Sequence, residues 1–168
     1  MTTAGKKFRP AKTRRWLATG FFCACLTASA WAGELAVGDA IPDFSAKDQF
    51  GKAFKFEAGL RFLLLGFDLS TGKQANHRLA ELGAGGLEKH GAAYVLDIHT
   101  MPAVAKFFAL PKMQKYPHRI VLAETASLLA AFPHQPEKIT VLALTPAGKI
   151  REFRYWNPAA ETPEAALN

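Results

Sequence analysis

Residues 61–67 read Arg-Phe-Leu-Leu-Leu-Gly-Phe and contain an uninterrupted apolar run between an arginine and a glycine. Such a run is typical of a β-strand that is buried on both faces of a sheet. Tyr94–Ile98 is a second strand candidate, and Ala75, Leu79 and Leu82 lie between the two at the spacing of one helix face. Two buried strands joined by a helix predict a parallel pair with a right-handed crossover.

Hairpins are predicted on either side of this unit. Lys52–Phe56 alternates polar and apolar residues after the turn-forming sequence Asp48–Gly51, which predicts an N-terminal β-hairpin. Ile139–Leu144 and Ile150–Trp156 are two further strand candidates joined by the turn Pro146–Gly148. We expect this closing hairpin to add antiparallel strands to the same sheet.

A second helix is predicted after the second buried strand. Thr100 is a suitable N-cap, and Met101, Val104 and Phe108 form the expected core face. Pro111 is expected to follow the end of this helix.

The remaining segments complete the order of elements. Arg119–Leu122 is expected to form a short strand, and Thr125–Phe132 a short helix that ends at Pro133. Residues 157–168 are rich in proline, alanine and glutamate, and they are expected to form a flexible tail.

Positive charge and cysteine are concentrated at the N-terminus. The chain has 168 residues and a formal charge of +7, but six of its 21 basic residues and none of its 14 acids lie in residues 1–32. Residues 33–168 therefore carry a formal charge of only +1, which argues against a nucleic-acid partner. Cys23 and Cys25 also lie in the first segment, so residues 33–168 exclude thiol catalysis, cysteine-bound zinc and internal disulfides.

Residues 1–32 have the order of a secretory signal. A basic segment without acids is followed by the apolar stretch Trp16–Leu26 and by a segment rich in small residues. We expect a periplasmic protein that is cleaved after Ala32 or, at a second site, after Ala30. Twin-arginine export, acylation of Cys25 and an uncleaved membrane anchor are the open alternatives.

The segment after this leader contains a group of residues at fixed spacing: Val37-Gly38-Asp39, Pro42-Asp43-Phe44, Asp48 and Gly51-Lys52. These residues resemble the opening of peroxiredoxin-like and membrane-anchored thioredoxin-like proteins. The resemblance implies a thioredoxin-like α/β fold for residues 33–156, with a mixed sheet, an N-terminal β-hairpin, a C-terminal antiparallel hairpin and helices on both faces. It identifies a scaffold rather than an activity.

The resemblance also implies where reactive groups belong. In those families a cysteine stands just after the first central strand, where the start of the next helix favours a thiolate. The matching stretch Asp68–Gln74 contains no cysteine. A cis-proline is expected just before the closing hairpin, but Glu137 and Lys138 precede Ile139, and the nearest proline is Pro136.

Polar residues follow the two predicted parallel strands where each strand ends. Asp68, Ser70 and Thr71 follow the first strand, and Asp97 and His99 follow the second. Ligand sites of α/β sheets lie beyond the carboxyl ends of such strands, so Asp68, Asp97 and His99 are candidates for acid–base catalysis or metal binding. Ser70 and Thr71 are candidates for binding. The alternative is that Ser70 or Thr71 caps the helix and that the aspartates close turns.

A basic segment without acids lies between Asp97 and Glu124. Its cationic or titratable residues are Lys106, Lys112, Lys115, His118 and Arg119. Together with nearby aromatic side chains they predict contact with an anionic envelope surface, with the last four residues as binding candidates. The alternative is a solvated helix face with Phe107 and Phe108 in the core.

The sequence therefore predicts an exported, cysteine-free module of the cell envelope that binds a periplasmic protein or a small ligand without redox chemistry. The alternative is a cysteine-independent enzyme, metal-assisted or cofactor-dependent, that uses the three candidate residues Asp68, Asp97 and His99. No cofactor is specified by a motif, because the glycines at 83, 85 and 86 follow a helix, whereas a dinucleotide-binding loop follows a strand.

Overall fold

The computed structural model describes residues 1–2 and 33–168. Except for residues 1 and 2, the predicted signal lies outside the described residues, as do both cleavage sites and both cysteines. Residues 33–168 belong to one unit of contacts, and both hydrophobic clusters lie between Leu35 and Leu167, so this segment contains its own core. Among the described helices, none is long and apolar enough to span a membrane.

The described strands are β1 (Ser45–Asp48), β2 (Ala53–Lys55), β3 (Phe62–Gly66), β4 (Ala92–Asp97), β5 (Val121–Ala123), β6 (Ile139–Leu144) and β7 (Ile150–Trp156). They form a mixed sheet in the order β2-β1-β5-β4-β3-β6-β7. β4 pairs in parallel with β3 and β5, and the other neighbours are antiparallel. Both predicted hairpins and the predicted parallel pair are confirmed.

Alternate residues of β3 and β4 point to opposite faces of the sheet. Leu64 and Tyr94 belong to one hydrophobic cluster, on what we call the first face. Leu63 and Val95 belong to the cluster on the second face. All four side chains are fully buried. Both faces of the sheet therefore need a cover, as the uninterrupted apolar runs predict.

Helices cover the first face. The described helices are α1 (Leu69–Ala80), α2 (Gly86–Lys89), α3 (Ala103–Met113) and α4 (Pro163–Leu167). Each of them contributes at least one buried apolar side chain to the first cluster. In α1 these residues are Ala75 and Leu79, as the helical spacing predicts.

The second face is covered by segments that are not α-helical, which corrects the expectation of helices on both faces. The buried side chains of this cover are Leu35, Ile41, Phe56, Leu129 and Phe132. The predicted helix Thr125–Phe132 is reduced to the single 3-10 turn Ala126–Leu128. A segment this short before Pro133 forms too few helical hydrogen bonds to offset the cost of starting a helix.

Helix α3 is rotated about its own axis relative to the prediction, so other residues face the core. Thr100 does not cap it, because Pro102 occupies the N-cap position, and Pro111 lies inside the helix rather than after it. The predicted core residues Val104 and Phe108 are exposed. Met101 is buried but lies before the first residue of the helix. Counting steps of three and four residues from Met101 therefore does not identify the buried side of the helix.

The C-terminal segment packs against the sheet, contrary to the tail expected for residues 157–168. Helix α4 begins at Pro163, a position where the missing N–H costs nothing, and it buries Ala166 and Leu167 in the first cluster. Arg154 of β7 donates a hydrogen bond to the backbone carbonyl of Asn168. The folded unit therefore extends past Trp156 to the last turn of α4.

Asp48 holds the N-terminal hairpin in place. Its buried carboxylate accepts hydrogen bonds from the backbone N–H groups of Phe50 and Lys52, both at 2.9 Å, and from Arg119 Nε at 3.0 Å. The Arg119 guanidinium also donates to the Ala53 carbonyl at 2.8 Å. One carboxylate thus closes the β1–β2 turn and joins it to the residues before β5.

Gln49 continues this connection in the buried interior. Its side-chain carbonyl accepts from the Ile120 N–H at 2.8 Å, and its side-chain amide donates to the His118 carbonyl at 2.9 Å. Gln114, just after α3, donates to the Gln49 backbone carbonyl at 2.9 Å. The hairpin turn is therefore fixed to the segment that links α3 to β5.

We expect Asp48→Ala to lower the free energy of unfolding by about 2–3 kcal/mol, because a charged acceptor of three hydrogen bonds is lost. Urea unfolding of residues 33–168 at neutral pH measures this change. Asp43→Ala is the matched control: Asp43 is exposed, and its loss should cost less than about 0.5 kcal/mol. Equal losses in the two variants would contradict a structural role for the Asp48 carboxylate.

Candidate functional site

The N-terminus of α1 is closed by a side chain of the same chain. Asp68 is the N-cap, and its carboxylate accepts hydrogen bonds from the Thr71 N–H at 2.8 Å and from the Ser70 hydroxyl at 2.7 Å. This corrects the expected cap at Ser70 or Thr71, which both lie in the first turn of the helix. The sequence did not distinguish these neighbours because serine, threonine and aspartate are all good N-caps.

The hydrogen bonds at this cap decide the charge of Asp68. Partial burial acts to raise the pKa of Asp68, but the hydrogen bonds from Thr71 and Ser70 outweigh burial and hold that pKa below its ordinary value. The carboxylate is therefore ionised at neutral pH, where it also interacts favourably with the positive end of the α1 dipole.

Asp97 and His99 form a second local group, at the end of β4. One Asp97 carboxylate oxygen lies 2.7 Å from His99 Nδ1 and accepts from the His99 backbone N–H at 2.9 Å. The bonds of Asp97 thus close a turn within its own segment, while those of Asp68 stay within the α1 cap. In residues 33–168 no three histidine, cysteine, aspartate or glutamate side chains form a group able to hold a metal ion.

An open groove of about 390 Å³ lies beside the α1 cap. Phe67, Asp68 and Ser70 line one side, and His134, Pro136 and Glu137 line the other. The rings of Phe67 and His134 stack with centroids 4.9 Å apart. Glu137, which precedes β6 by two residues, has a φ of 59°, and the described chain contains no cis peptide bond. The groove has the position implied for a reactive thiol but contains no sulfur.

A second groove, of about 340 Å³, lies between α1 and α3, and sequence reasoning did not find it. Its apolar lining includes Leu96, Met101 and Met113, and Lys73 and Lys112 add a cation from each helix. We call it the α1–α3 groove. Of the predicted basic residues, Lys112 lines this groove and Lys115 is exposed just after α3.

His118 does not belong to the predicted basic surface. Its side chain is buried, with Nε2 at 3.0 Å from Asn76 Oδ1 of α1 and with no hydrogen-bond partner at Nδ1. Burial lowers the pKa of His118 to about 4, so the ring is neutral in the folded protein at neutral pH. Arg119 is likewise committed to Asp48 and Ala53, and its guanidinium lies over the Phe54 ring at 5.2 Å.

The alternative interpretation of the basic segment, which placed Phe107 and Phe108 in the core, is also wrong. Val104, Phe107 and Phe108 are 72%, 74% and 63% exposed. We call these three residues the α3 ridge. Helix α3 is attached to the first cluster by Ala109, Leu110 and Met113, near its C-terminal end.

Comparison with solved structures identifies the fold. A structure named as a DsbE-type thiol:disulfide interchange protein from Chlorobium tepidum matches with a TM-score of 0.56 and 14% identity, over 80% of this chain and 100% of the other. Peroxidoxin BcpB from Mycobacterium tuberculosis matches with a TM-score of 0.52 and 18% identity, over 80% and 95%. The fold is thioredoxin-like.

The thioredoxin-like fold confirms the resemblance noted in the opening motif. The thioredoxin domain of a thiol-disulfide oxidoreductase from Bacteroides vulgatus is also similar, with a TM-score of 0.51 and 16% identity over 80% of this chain and 100% of that domain. No protein-family model matches the chain, and no curated protein sequence is similar to it. At these identities the likeness concerns the fold alone.

We expect Asp68→Ala to lower the free energy of unfolding by about 1 kcal/mol at neutral pH, because the α1 N-cap is lost. The pKa of Asp68 is lowered in the folded state, so its contribution is present above the unfolded pKa and is lost as pH falls through the folded pKa. Urea unfolding at pH 7 and at about pH 2 should therefore show a difference that shrinks on acidification.

The control for this cap is Asp68→Asn, which retains a side-chain oxygen as acceptor. We expect it to lose less stability than Asp68→Ala at neutral pH. An alanine variant as stable as wild type at pH 7 would show that the Asp68 cap does not stabilise α1.

We expect His118 to make the protein less stable as pH falls from about 6.5 to about 4. Its folded pKa lies below the unfolded value, so the unfolded chain binds more protons in this window, and stability rises with pH across it. The loss is at most about 3 kcal/mol. In urea titrations at several pH values His118→Gln, whose amide can still donate to Asn76, should lose less stability than wild type. Equal pH profiles would contradict the burial of a neutral ring.

Proposed function

We propose that this chain is an exported thioredoxin-like protein without thiol chemistry, and that it acts as a binding module of the cell envelope. The observation that carries this proposal is the α1 N-terminus, where the Asp68 carboxylate occupies the place implied for a thiolate. Because residues 33–168 contain no cysteine, removal of the predicted leader removes every thiol from the protein.

The groups near the α1 cap are poor substitutes for a reactive thiol. The Ser70 hydroxyl donates to Asp68, and the lowered pKa of that carboxylate makes it a weak base for removing the serine proton. Free N–H groups at a helix start can stabilise an anion. In α1 the Thr71 N–H already donates to the negatively charged Asp68 carboxylate of the same chain.

The α1–α3 groove is the binding surface in this proposal. Its lining is largely apolar, and Lys73 and Lys112 provide one cation from each helix. Ligand sites commonly combine apolar walls with a few polar groups that fix orientation. The groove therefore suits an apolar group that carries a negative charge, either on a small molecule or on the side chains of a periplasmic protein.

Export is part of the same proposal and is supported by the sequence of residues 1–32. Their basic, apolar and small-residue segments occur in the order of a secretory signal, with cleavage after Ala32 or Ala30. A module that binds rather than reduces its partner requires no electron donor outside the cytoplasm.

A cysteine-independent enzyme is the second candidate, and the Asp97–His99 contact favours it. A carboxylate at 2.7 Å from Nδ1 orients the imidazole and leaves Nε2 for proton transfer, as acid–base catalysis requires. The His99 side chain is about one-third exposed, so a substrate has access to it.

The proposal is tested with residues 33–168 and the probe 1-anilinonaphthalene-8-sulfonate, which combines apolar rings with one negative charge. We expect Ala105→Trp, which fills the α1–α3 groove, to weaken probe binding at least tenfold in a fluorescence titration. Ala103→Trp is the matched control, because Ala103 is an exposed residue of the same helix outside the groove. Insulin reduction by the same protein should not exceed that of a heat-inactivated sample.

Two outcomes would contradict the proposal. Reproducible insulin reduction would show that the protein has redox chemistry despite the absence of thiols. Equal probe affinity in both tryptophan variants would show that the groove is not the binding surface.

A further inference from the structure

The α3 ridge leaves large apolar side chains in solvent. Val104, Phe107 and Phe108 project from the side of α3 opposite Met113, and the two phenyl rings pack edge to face with centroids 5.4 Å apart. Apolar groups scattered singly over a surface are ordinary, but three on adjacent turns of one helix form a contiguous patch. The residues that attach α3 to the first cluster, Ala109, Leu110 and Met113, lie nearer its C-terminal end.

The segment that carries the ridge has basic side chains and no acidic ones. Residues 98–123 contain no acid, and Lys106, Lys112 and Lys115 lie on or just after α3. Since His118 and Arg119 are committed to contacts within the fold, these three lysines are the cations that α3 and its C-terminal end provide. Flexible lysine stems let the charges reach several positions around the apolar patch.

We infer that α3 docks onto an anionic lipid surface, with the α3 ridge in the boundary between headgroups and acyl chains and the lysines at the lipid phosphates. Short helices with aromatic residues on one side and lysines beside them bind in this way. The ridge is convex, so it can enter a fluid interface without a complementary cavity. This inference does not depend on what the α1–α3 groove binds, although Lys112 also lines that groove.

A second copy of the chain fits this surface less well. Two ridges in mutual contact would place the lysines of two α3 segments at one interface, with no acid of residues 98–123 to balance them. An acidic protein would balance the lysines but would also need a cavity that matches the protruding rings. Anionic lipid meets both requirements through its phosphates and its acyl chains.

The test uses residues 33–168, because this segment has its own core and lacks the apolar stretch of the leader. Co-sedimentation is measured with vesicles of phosphatidylglycerol and phosphatidylethanolamine in equal parts, and with vesicles of phosphatidylcholine. We expect binding to the anionic vesicles that weakens with added salt. The double change Phe107→Ser and Phe108→Ser should weaken binding at least tenfold, and Lys112→Gln with Lys115→Gln about thirtyfold.

Phe50→Ser is the matched control. Phe50 is 55% exposed on the β1–β2 turn, so its loss removes a comparable apolar side chain away from α3. The control should bind the anionic vesicles as wild type does. Unfolding curves of every variant show whether the fold is kept.

Insertion is measured separately from adsorption by Phe108→Trp, since the other tryptophan of residues 33–168, Trp156, is buried. The emission of Phe108→Trp should shift to the blue with anionic vesicles, whereas Phe50→Trp should not shift. Absence of binding, equal binding to phosphatidylcholine, or an equal loss in the Phe50→Ser control would overturn the inference. The inference would also be overturned if the vesicles do not bind and the ridge instead mediates a dimer, measured by light scattering. Ridge-dependent capture of an acidic protein without vesicle binding would have the same meaning.

Discussion

The burial of β3 and β4 on both faces is the constraint on which the architecture depends. Neither strand has a side that water can reach, so the chain must supply two covers. Helices supply the first cover, and the N-terminal segment with the residues after β5 supplies the second. Helix α3 has only a part of the first face to occupy, and it packs there through one end. The same constraint that fixes the centre of the sheet therefore leaves a groove and an exposed apolar helix side at its margin.

The chemistry of the α1 N-terminus is determined by the carboxylate that caps it, at the position where the resemblance implies a thiolate. A helix start offers unpaired N–H groups and a favourable potential for negative charge. A thiolate there would be reactive, whereas the Asp68 carboxylate is hydrogen-bonded and chemically inert toward disulfides. The helix start thus keeps a negatively charged partner, but residues 68–74 contain no cysteine. The binding surface that we propose lies between α1 and α3, away from this cap.

The strands could be predicted because their signals are local: apolar runs, alternation and turn residues at fixed positions. The side of α3 that faces the core could not be predicted, because Met101 is buried just before the helix and the helical spacing was counted from it. The roles of His118 and Arg119 were hidden for another reason. Their partners, Asn76 and Asp48, lie 42 and 71 residues away, and nothing in the local pattern marks such pairings. The same holds for the α1–α3 groove, which exists only once two helices are placed on the sheet.

The connection made by Gln49 joins segments that are far apart in the sequence. Its side chain meets the Ile120 backbone across 71 residues, so β1 reaches β5 by closing a loop that spans about half of residues 33–168. Contacts this distant in sequence form slowly, because the entropy of closure is lost before any packing compensates for it. The β1–β2 hairpin is local in sequence, whereas its pairing with the rest of the sheet is made only through β5. We therefore expect β1 and β2, the first strands of residues 33–168 in the chain, to be among the last to join the sheet.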